Sequence, residues 1–336
     1  MKIEDAIKTV MEFTDLSESQ AYEVAVDVMN GVLTQSQIGA LLTALNMKKF
    51  VISEITGFAR AMRERVARLE FPYPDLVDTC GTGGDGAGTV NVSTMAALVA
   101  AGAGCRVVKH GNRSVSSRCG SADLLEALGV KIDTTVDVQR TCLEKAGFVF
   151  LFAQKHHPAM KSVALPRKEL GFKTIFNVLG PLTNPSGAKR QVLGVYAKEL
   201  TGALAMVLKK LGSEHCLIVH GTDGLDEITL TAETTVSELE GGKISNLSLK
   251  PEDVGLTRCR LDQITGSDPA WNARATEEVL TGAKGPIRDI TVLNAAAAIY
   301  VSGKVKDLQE GIAKANEAID SGSAHGKLKL LRELTE

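Results

Sequence analysis

Residues 81–88 read Gly-Thr-Gly-Gly-Asp-Gly-Ala-Gly, five glycines in eight positions. A residue without a Cβ lets the backbone approach a ligand and turn its amides toward it. A helix starting near Ser93 would add a partial positive charge at its N-terminus. The chemistry this segment suits is phosphate binding. It also carries the spacing GxGxxG at Gly81, Gly83 and Gly86. A dinucleotide fingerprint, however, wants an acidic residue about twenty positions further on. Residues 100–106 hold none, and the chain contains no GxxxxGK[ST] loop. Asp85 would repel a bare phosphate, so a cation or sugar hydroxyls belong between them. Taken alone, the segment is also compatible with a tight turn between strand and helix.

Asn91-Val92-Ser93-Thr94 follows at once. Asn, Ser and Thr cap helices. The same residues could touch phosphate, with the Ser93 hydroxyl on a metal, and both readings stay open here. Lys109-His110-Gly111-Asn112-Arg113-Ser114-Val115-Ser116-Ser117 places two permanent cations and three serine hydroxyls in nine residues. That set suits the oxygens of a pyrophosphate. Asp226 and Glu227 are adjacent acids in a glycine-bearing stretch. Magnesium asks for few protein carboxylates, because it keeps waters and substrate phosphates. An isolated Asp-Glu pair would otherwise be a solvated turn. Arg167 could pair bidentately with a carboxylate. His156-His157 lacks acid or cysteine partners in sequence and reads as packing or capping.

These residues need elements to position them. The first seventy residues read as helices only. Ile3, Ala6, Ile7, Val10 and Met11 share one helical face. Ser17 with Gln20 and Thr34 with Gln37 are capping boxes ahead of two more apolar stripes. A fourth helix is expected after Ser53. Phe71-Pro72-Tyr73-Pro74 is a break and an expected hinge. Short apolar runs then alternate with helical stretches: 76–77, 107–108, 148–152, 192–195 and 216–219. That alternation predicts a parallel sheet with helices on it. In such sheets ligands sit at the carboxyl ends of the strands, where the candidate residues fall. Residues 229–249 read as a hairpin turning at Gly241-Gly242, and the last seventy residues as helix.

The whole chain bounds these readings. Its 336 residues are 44% hydrophobic and 23% charged, with net charge −2. This allows one large core plus a smaller domain, and argues against nucleic acid as a partner. Six cysteines form no CxxC pair, so buried free thiols are expected rather than zinc or disulfides. The start of the chain lacks a signal-peptide pattern, and no apolar run is long enough to span a bilayer. A cytoplasmic protein with no membrane partner is expected.

Read together, these segments resemble the anthranilate phosphoribosyltransferase family. The resemblance rests on GTGGD at 81–85, NVST at 91–94, KHGNRSVSS at 109–117, GSADLLEALGV at 120–130, HHPAMK at 156–161, RKELG at 167–171, TIFNVLGPLTNP at 174–185 and VHGTDGLDE at 219–227. It covers nearly the whole chain.

The resemblance implies an α/β fold of the nucleoside phosphorylase and phosphoribosyltransferase type. A small all-helical N-terminal domain, 1–70, joined by helices from about 160–185, would sit on a large α/β domain, 75–336, with a mostly parallel central sheet. It implies a homodimer and two magnesium ions per subunit. The donor, 5-phosphoribosyl-1-pyrophosphate, would be held by Gly81, Gly84, Asp85, Thr89, 91–94, 109–117 and Ser121. Magnesium would be held by Ser93, Asp226 and Glu227, and anthranilate by Gly81, Asn112 and Arg167. Lys109, Asp226 and Glu227 are the catalytic candidates. The family commonly has Pro-Val before the arginine, whereas this chain has Leu165-Pro166, which could alter the reach of Arg167. A pyrimidine nucleoside phosphorylase and a non-catalytic nucleic-acid-binding relative are the rival readings.

Overall fold

The computed structural model describes residues 1–114 and 118–336. Four helices open the chain: α1 (Ile3–Met11), α2 (Glu18–Met29), α3 (Gln35–Lys48) and α4 (Ile52–Arg65). Both capping boxes form, at Ser17/Gln20 and Thr34/Gln37. The fourth helix begins slightly earlier than expected. Ser53 lies inside it and donates to the Leu16 carbonyl at 2.8 Å. The start is instead organised by Glu54, whose buried carboxylate accepts from Val51 N and Leu16 N at 3.0 Å each and pairs with Lys48 at 3.1 Å. A buried acid so fully partnered ties three segments together, and removing one partner would leave a costly charge.

The remainder follows as β1 (Leu76–Gly81), α5 (Val92–Gly102), β2 (Arg106–Gly111), α6 (Ser121–Ala127), α7 (Val136–Thr141), β3 (Phe148–Phe152), α8 (Ala153–His156), α9 (Lys161–Leu170), α10 (Ile175–Leu179), β4 (Arg190–Gly194), α11 (Leu200–Lys210) and β5 (His215–Gly221). Then come β6 (Thr234–Glu240), β7 (Lys243–Leu249), α12 (Pro269–Leu280), α13 (Pro286–Val301), α14 (Leu308–Asp320) and α15 (Ser323–Thr335). The sheet order is β3-β2-β1-β4-β5-β6-β7. The first five are parallel, and β6 and β7 form the expected antiparallel hairpin at one edge.

Strand residues alternate between two cores, as a pleated strand requires. Val192, Leu217 and Val219 face the cluster formed with α5, α13 and α15. Leu193, Cys216 and Ile218 face a second cluster that also contains α1–α4, α10 and α11. The N-terminal helices are thus continuous in packing with one sheet face, through Val163 of α9 and residues of α10. The expected hinge is anchored: Arg106 lies over the Tyr73 ring at 4.2 Å and pairs with Asp75 at 2.8 Å.

Helices α2 and α4 cross closely because residue 57 is glycine. A Cβ there would lie 2.5 Å from the Glu18 carbonyl oxygen and 2.7 Å from Tyr22 N. Gly57→Ala should therefore destabilise the protein by about 1–3 kcal/mol through overpacking, read as a lower midpoint in urea unfolding at unchanged slope. An unchanged midpoint would contradict this packing.

Candidate active site

The strand order reverses between β1 and β4, the place where crossovers leave on opposite sides and a crevice opens. Four of the five parallel strands end there in glycine: Gly81, Gly111, Gly194 and Gly221. Gly81 and Gly194 are register partners, and the reason for both glycines is Asp226. A Cβ at 194 would lie 1.6 Å from the Asp226 carbonyl oxygen, and one at 81 would lie 2.5 Å from its Oδ2. With no side chain on either strand end, the acid segment settles into the mouth of the crevice.

The segment is held by its flanks. Leu225 and Ile228 are buried in the core. Asn294 of α13 accepts from Ile228 N at 3.0 Å and donates to its carbonyl at 2.9 Å. Asp226 Oδ2 then accepts from Gly83 N at 2.8 Å, so the acid segment and the glycine loop are joined directly. Asp226 and Glu227 are half-buried. Burial, and then the Asp85 carboxylate, push the Asp226 carboxyl up to about 7. Burial and the neighbouring Asp226 push Glu227 well above the usual carboxylate range, with Lys109 opposing. Asp85, Asp226 and Glu227 are therefore neighbouring acids, each opposing ionisation of the next. Asp226, Glu227 and the Ser93 hydroxyl could offer oxygen donors of the kind a hard divalent ion such as magnesium takes.

Helix α5 starts at Val92, close to expectation. Asn91 serves as its cap: its Oδ1 accepts from Thr94 N at 3.2 Å, and its Nδ2 donates to the Cys119 carbonyl at 3.1 Å. The side chains of Val92 and Thr94 point into the interior, at 1% and 0% exposure, so only their backbone faces the crevice. Thr89 pairs with Thr265 across an isolated bridge. Ser121 opens α6 beside Gly111.

The basic segment differs from its expected form. Lys109, His110 and Gly111 belong to strand β2, not to the loop after it. Lys109 is 1% exposed. Its ammonium donates to the Thr79 carbonyl at 2.5 Å and to Ser93 Oγ at 3.1 Å. Burial lowers its pKa, against the nearby Asp78. Lys109 thus acts on the crevice through Ser93 rather than by reaching into it. Arg113 is also committed. Its guanidinium pairs with Glu126 at 2.5 Å and Asp123 at 3.2 Å. Asp123 in turn accepts from Ser114 N and Gly120 N at 2.9 Å each. Asn112 is exposed at the loop's start, its Oδ1 accepting from Arg113 N at 2.8 Å. Val115, Ser116 and Ser117 lie outside the described residues.

Arg167 sits in the last turn of α9, over the Phe176 ring at 5.7 Å. Pro166 is inside this helix, which nevertheless runs on to Leu170. Arg167 has no carboxylate within ion-pair distance among the described residues, and burial lowers its pKa. His156 and His157 do pack, as expected. His156 Nδ1 bonds to the Ala67 carbonyl at 2.7 Å, and the His157 ring lies 5.0 Å from that of His110. Burial depresses all three imidazoles, that of His157 to about 4. Sequence reasoning passed over Asp78, hidden in an apolar strand as the acid facing Lys109. It also passed over Lys173, whose ammonium rests 3.8 Å from the Tyr196 ring centre. The only sequence signal for Lys173 was its place between two recognisable motifs.

Residues 73–325 match the family model described as "Glycosyl transferase family, a/b domain", and residues 4–66 match the "helical bundle domain" of the same family. The chain is 49% identical over 334 residues to the anthranilate phosphoribosyltransferase of Desulforamulus reducens, covering 99% of this chain and 97% of that one. It is 50% identical over 331 residues to that of a Thermoanaerobacter species, covering 98% of each. The chain belongs to the anthranilate phosphoribosyltransferase family. Among solved structures, the Thermus thermophilus anthranilate phosphoribosyltransferase superposes with a TM-score of 0.93 at 44% identity, covering 98% of this chain and 99% of that one. The Saccharomyces cerevisiae enzyme in complex with PRPP and Mg superposes at 0.90 with 30% identity, covering 99% and 97%. Anthranilate phosphoribosyltransferases thus share this chain's fold, helical bundle and α/β part together.

A raised carboxyl means that the folded protein holds a proton the unfolded chain has lost. For Asp226 that window runs from 3.8 to about 7. Stability of the metal-free protein should therefore fall as pH rises through it. Magnesium should raise Tm more at pH 8 than at pH 5, because the ion binds the ionised acids. Asp226→Asn should flatten the metal-free slope and remove most of the magnesium response. Scanning calorimetry at both pH values checks this, and an Asn variant with an unchanged magnesium response would refute it.

Proposed function

We propose that the protein transfers the phosphoribosyl group of 5-phosphoribosyl-1-pyrophosphate to the amine of anthranilate. The products are N-(5-phosphoribosyl)anthranilate and pyrophosphate, a step of tryptophan biosynthesis. The observation that carries this reading is the Asp226 carboxylate joined to the glycine loop through the Gly83 amide at the ends of the parallel strands, and a half-buried Arg167 with no carboxylate partner among the described residues supports it.

On this reading the donor lies over Gly81, Gly84, Asp85 and Thr89, the backbone of 91–94, the turn that begins at Gly111, and Ser121, with Lys109 behind Ser93. The amides of the glycine loop and of the α5 N-terminus point at phosphate oxygens. Ser93, Asp226 and Glu227 hold magnesium, two ions per subunit. Magnesium, when bound, offsets the charge that develops on the departing pyrophosphate. Lys109 is a positioning residue, fixing the Ser93 hydroxyl from below. Arg167 takes the anthranilate carboxylate, with Asn112 and Gly81 beside the ring. The anthranilate nitrogen forms a bond to the anomeric carbon as the bond from that carbon to pyrophosphate breaks. An aromatic amine is neutral near pH 7, so holding it in line matters more than deprotonating it beforehand.

The same reading makes the protein a cytoplasmic homodimer acting on small molecules. Met11, Phe13 and Met47 are 66–68% exposed and line one groove of about 370 Å³ with Val10, Gly39 and Ala40. Such a patch supports an interface through α1 and α3. Met47→Glu should shift sedimentation toward the monomer, and a dimer of unchanged stability would remove this surface from consideration.

Loss of anthranilate fluorescence on adding donor and magnesium tests the activity, and no loss with folded protein would overturn it. In the same assay Arg167→Ala should raise the anthranilate KM roughly 10–100-fold, the scale of one charge-assisted hydrogen bond. The donor KM should change far less. Equal rises in both would argue against a carboxylate role.

A further inference from the structure

We infer that Lys173 is a donor-binding residue, whose ammonium takes a phosphate group of the donor seated over Gly83 and Gly84. The inference rests on the donor reading above. It begins from a charge problem. The donor carries a pyrophosphate and a phosphate, yet both cations of the basic segment are spent on the protein: Lys109 on Thr79 and Ser93, Arg113 on Asp123 and Glu126. Magnesium aside, the glycine loop has room for a further protein cation.

Lys173 is that cation. It lies between α9 and α10, on the side of the crevice opposite the loop, and extends toward Gly84. A Cβ at residue 84 would lie 2.9 Å from Lys173 Cε and 3.4 Å from its Nζ. Gly84 has φ +76°, so glycine here allows both the turn and the approach of the lysine. The ammonium sits 3.8 Å from the centre of the Tyr196 ring. Tyr196 is itself keyed to the loop, because its N–H donates to Thr82 Oγ1 at 3.1 Å.

The choice of platform matters. A carboxylate would neutralise the ammonium, whereas an aromatic face orients it and leaves its hydrogen-bonding capacity largely unspent. Among the described residues no carboxylate lies within ion-pair distance of Lys173. The half-buried side chain is therefore a positioned cation beside a loop whose amides suit phosphate. Because it comes from the α9–α10 connection, its contact with donor would also draw the two walls of the crevice together.

The test is steady-state kinetics of the full-length protein with Lys173→Met, Lys173→Arg and Tyr196→Leu. Lys173→Met should raise the donor KM about tenfold, with the anthranilate KM within about twofold. Lys173→Arg should restore most of the loss, and Tyr196→Leu should fall between. Calorimetric titration with inorganic pyrophosphate and with ribose 5-phosphate, each with magnesium, assigns the group: the probe whose affinity Lys173→Met weakens is the one the lysine holds. A folded Lys173→Met protein with wild-type donor KM and unchanged affinity for both probes overturns the inference. Should methionine impair folding, Lys173→Gln carries the same measurements. A wild-type protein that turns over no anthranilate would defeat the activity reading itself, so the two failures are distinct.

Discussion

The structure depends on seating acids at the point where the sheet reverses direction. Asp226 can occupy that point only because Gly81 and Gly194, register partners at the ends of β1 and β4, carry no side chains. Burying carboxylates beside one another is costly. The cost is met by structure built around them: the Gly83 amide on Asp226, the Asn294 clasp on Ile228, and the apolar anchors Leu225 and Ile228. The same enclosure raises their pKa values, so a cation bound there would have to displace protons first. Stability and ligand binding thus pull against each other here, as is common where a site is preorganised.

The cations follow a complementary logic. Lys109 and Arg113 were expected to project toward substrate, but both brace the walls. Lys109 lies under Ser93, with Asp78 as its buried counter-charge. Arg113 closes the turn before α6 through Asp123 and Glu126. A charge held by partners on its own side of the site keeps that wall rigid. Lys173 comes up to the glycine loop at Gly84, and both it and Arg167 lie over aromatic rings, neither paired with a carboxylate among the described residues.

The α9–α10 segment that carries them is part of the N-terminal bundle's packing. Val163 and the apolar residues of α10 share a core with α1–α4, and that core continues into α11 and one face of the sheet. Helix contacts therefore fix where Arg167 and Lys173 stand relative to the glycine loop.

Much of this was legible in the linear chain, because local rules dominate there. Capping boxes at Ser17 and Thr34, the helix–strand alternation after Pro74 and the Gly241-Gly242 hairpin each depend on residues a few positions apart. The glycine run, the basic segment and the Asp226-Glu227 pair stood out by composition, and their family resemblance tied them together. The extent of β2 was not legible: a polar Lys-His-Gly looks like loop, but pairing with β3 makes it strand. Which charges face substrate and which face protein was likewise beyond the sequence. That depends on partners such as Asp78, Ser93 and Glu126, well separated along the chain or brought in from another strand. Sequence by itself determined the kinds of group available to the site. Only the tertiary structure decided their direction, because direction is set by which long-range neighbour neutralises each charge and which glycine leaves room for it.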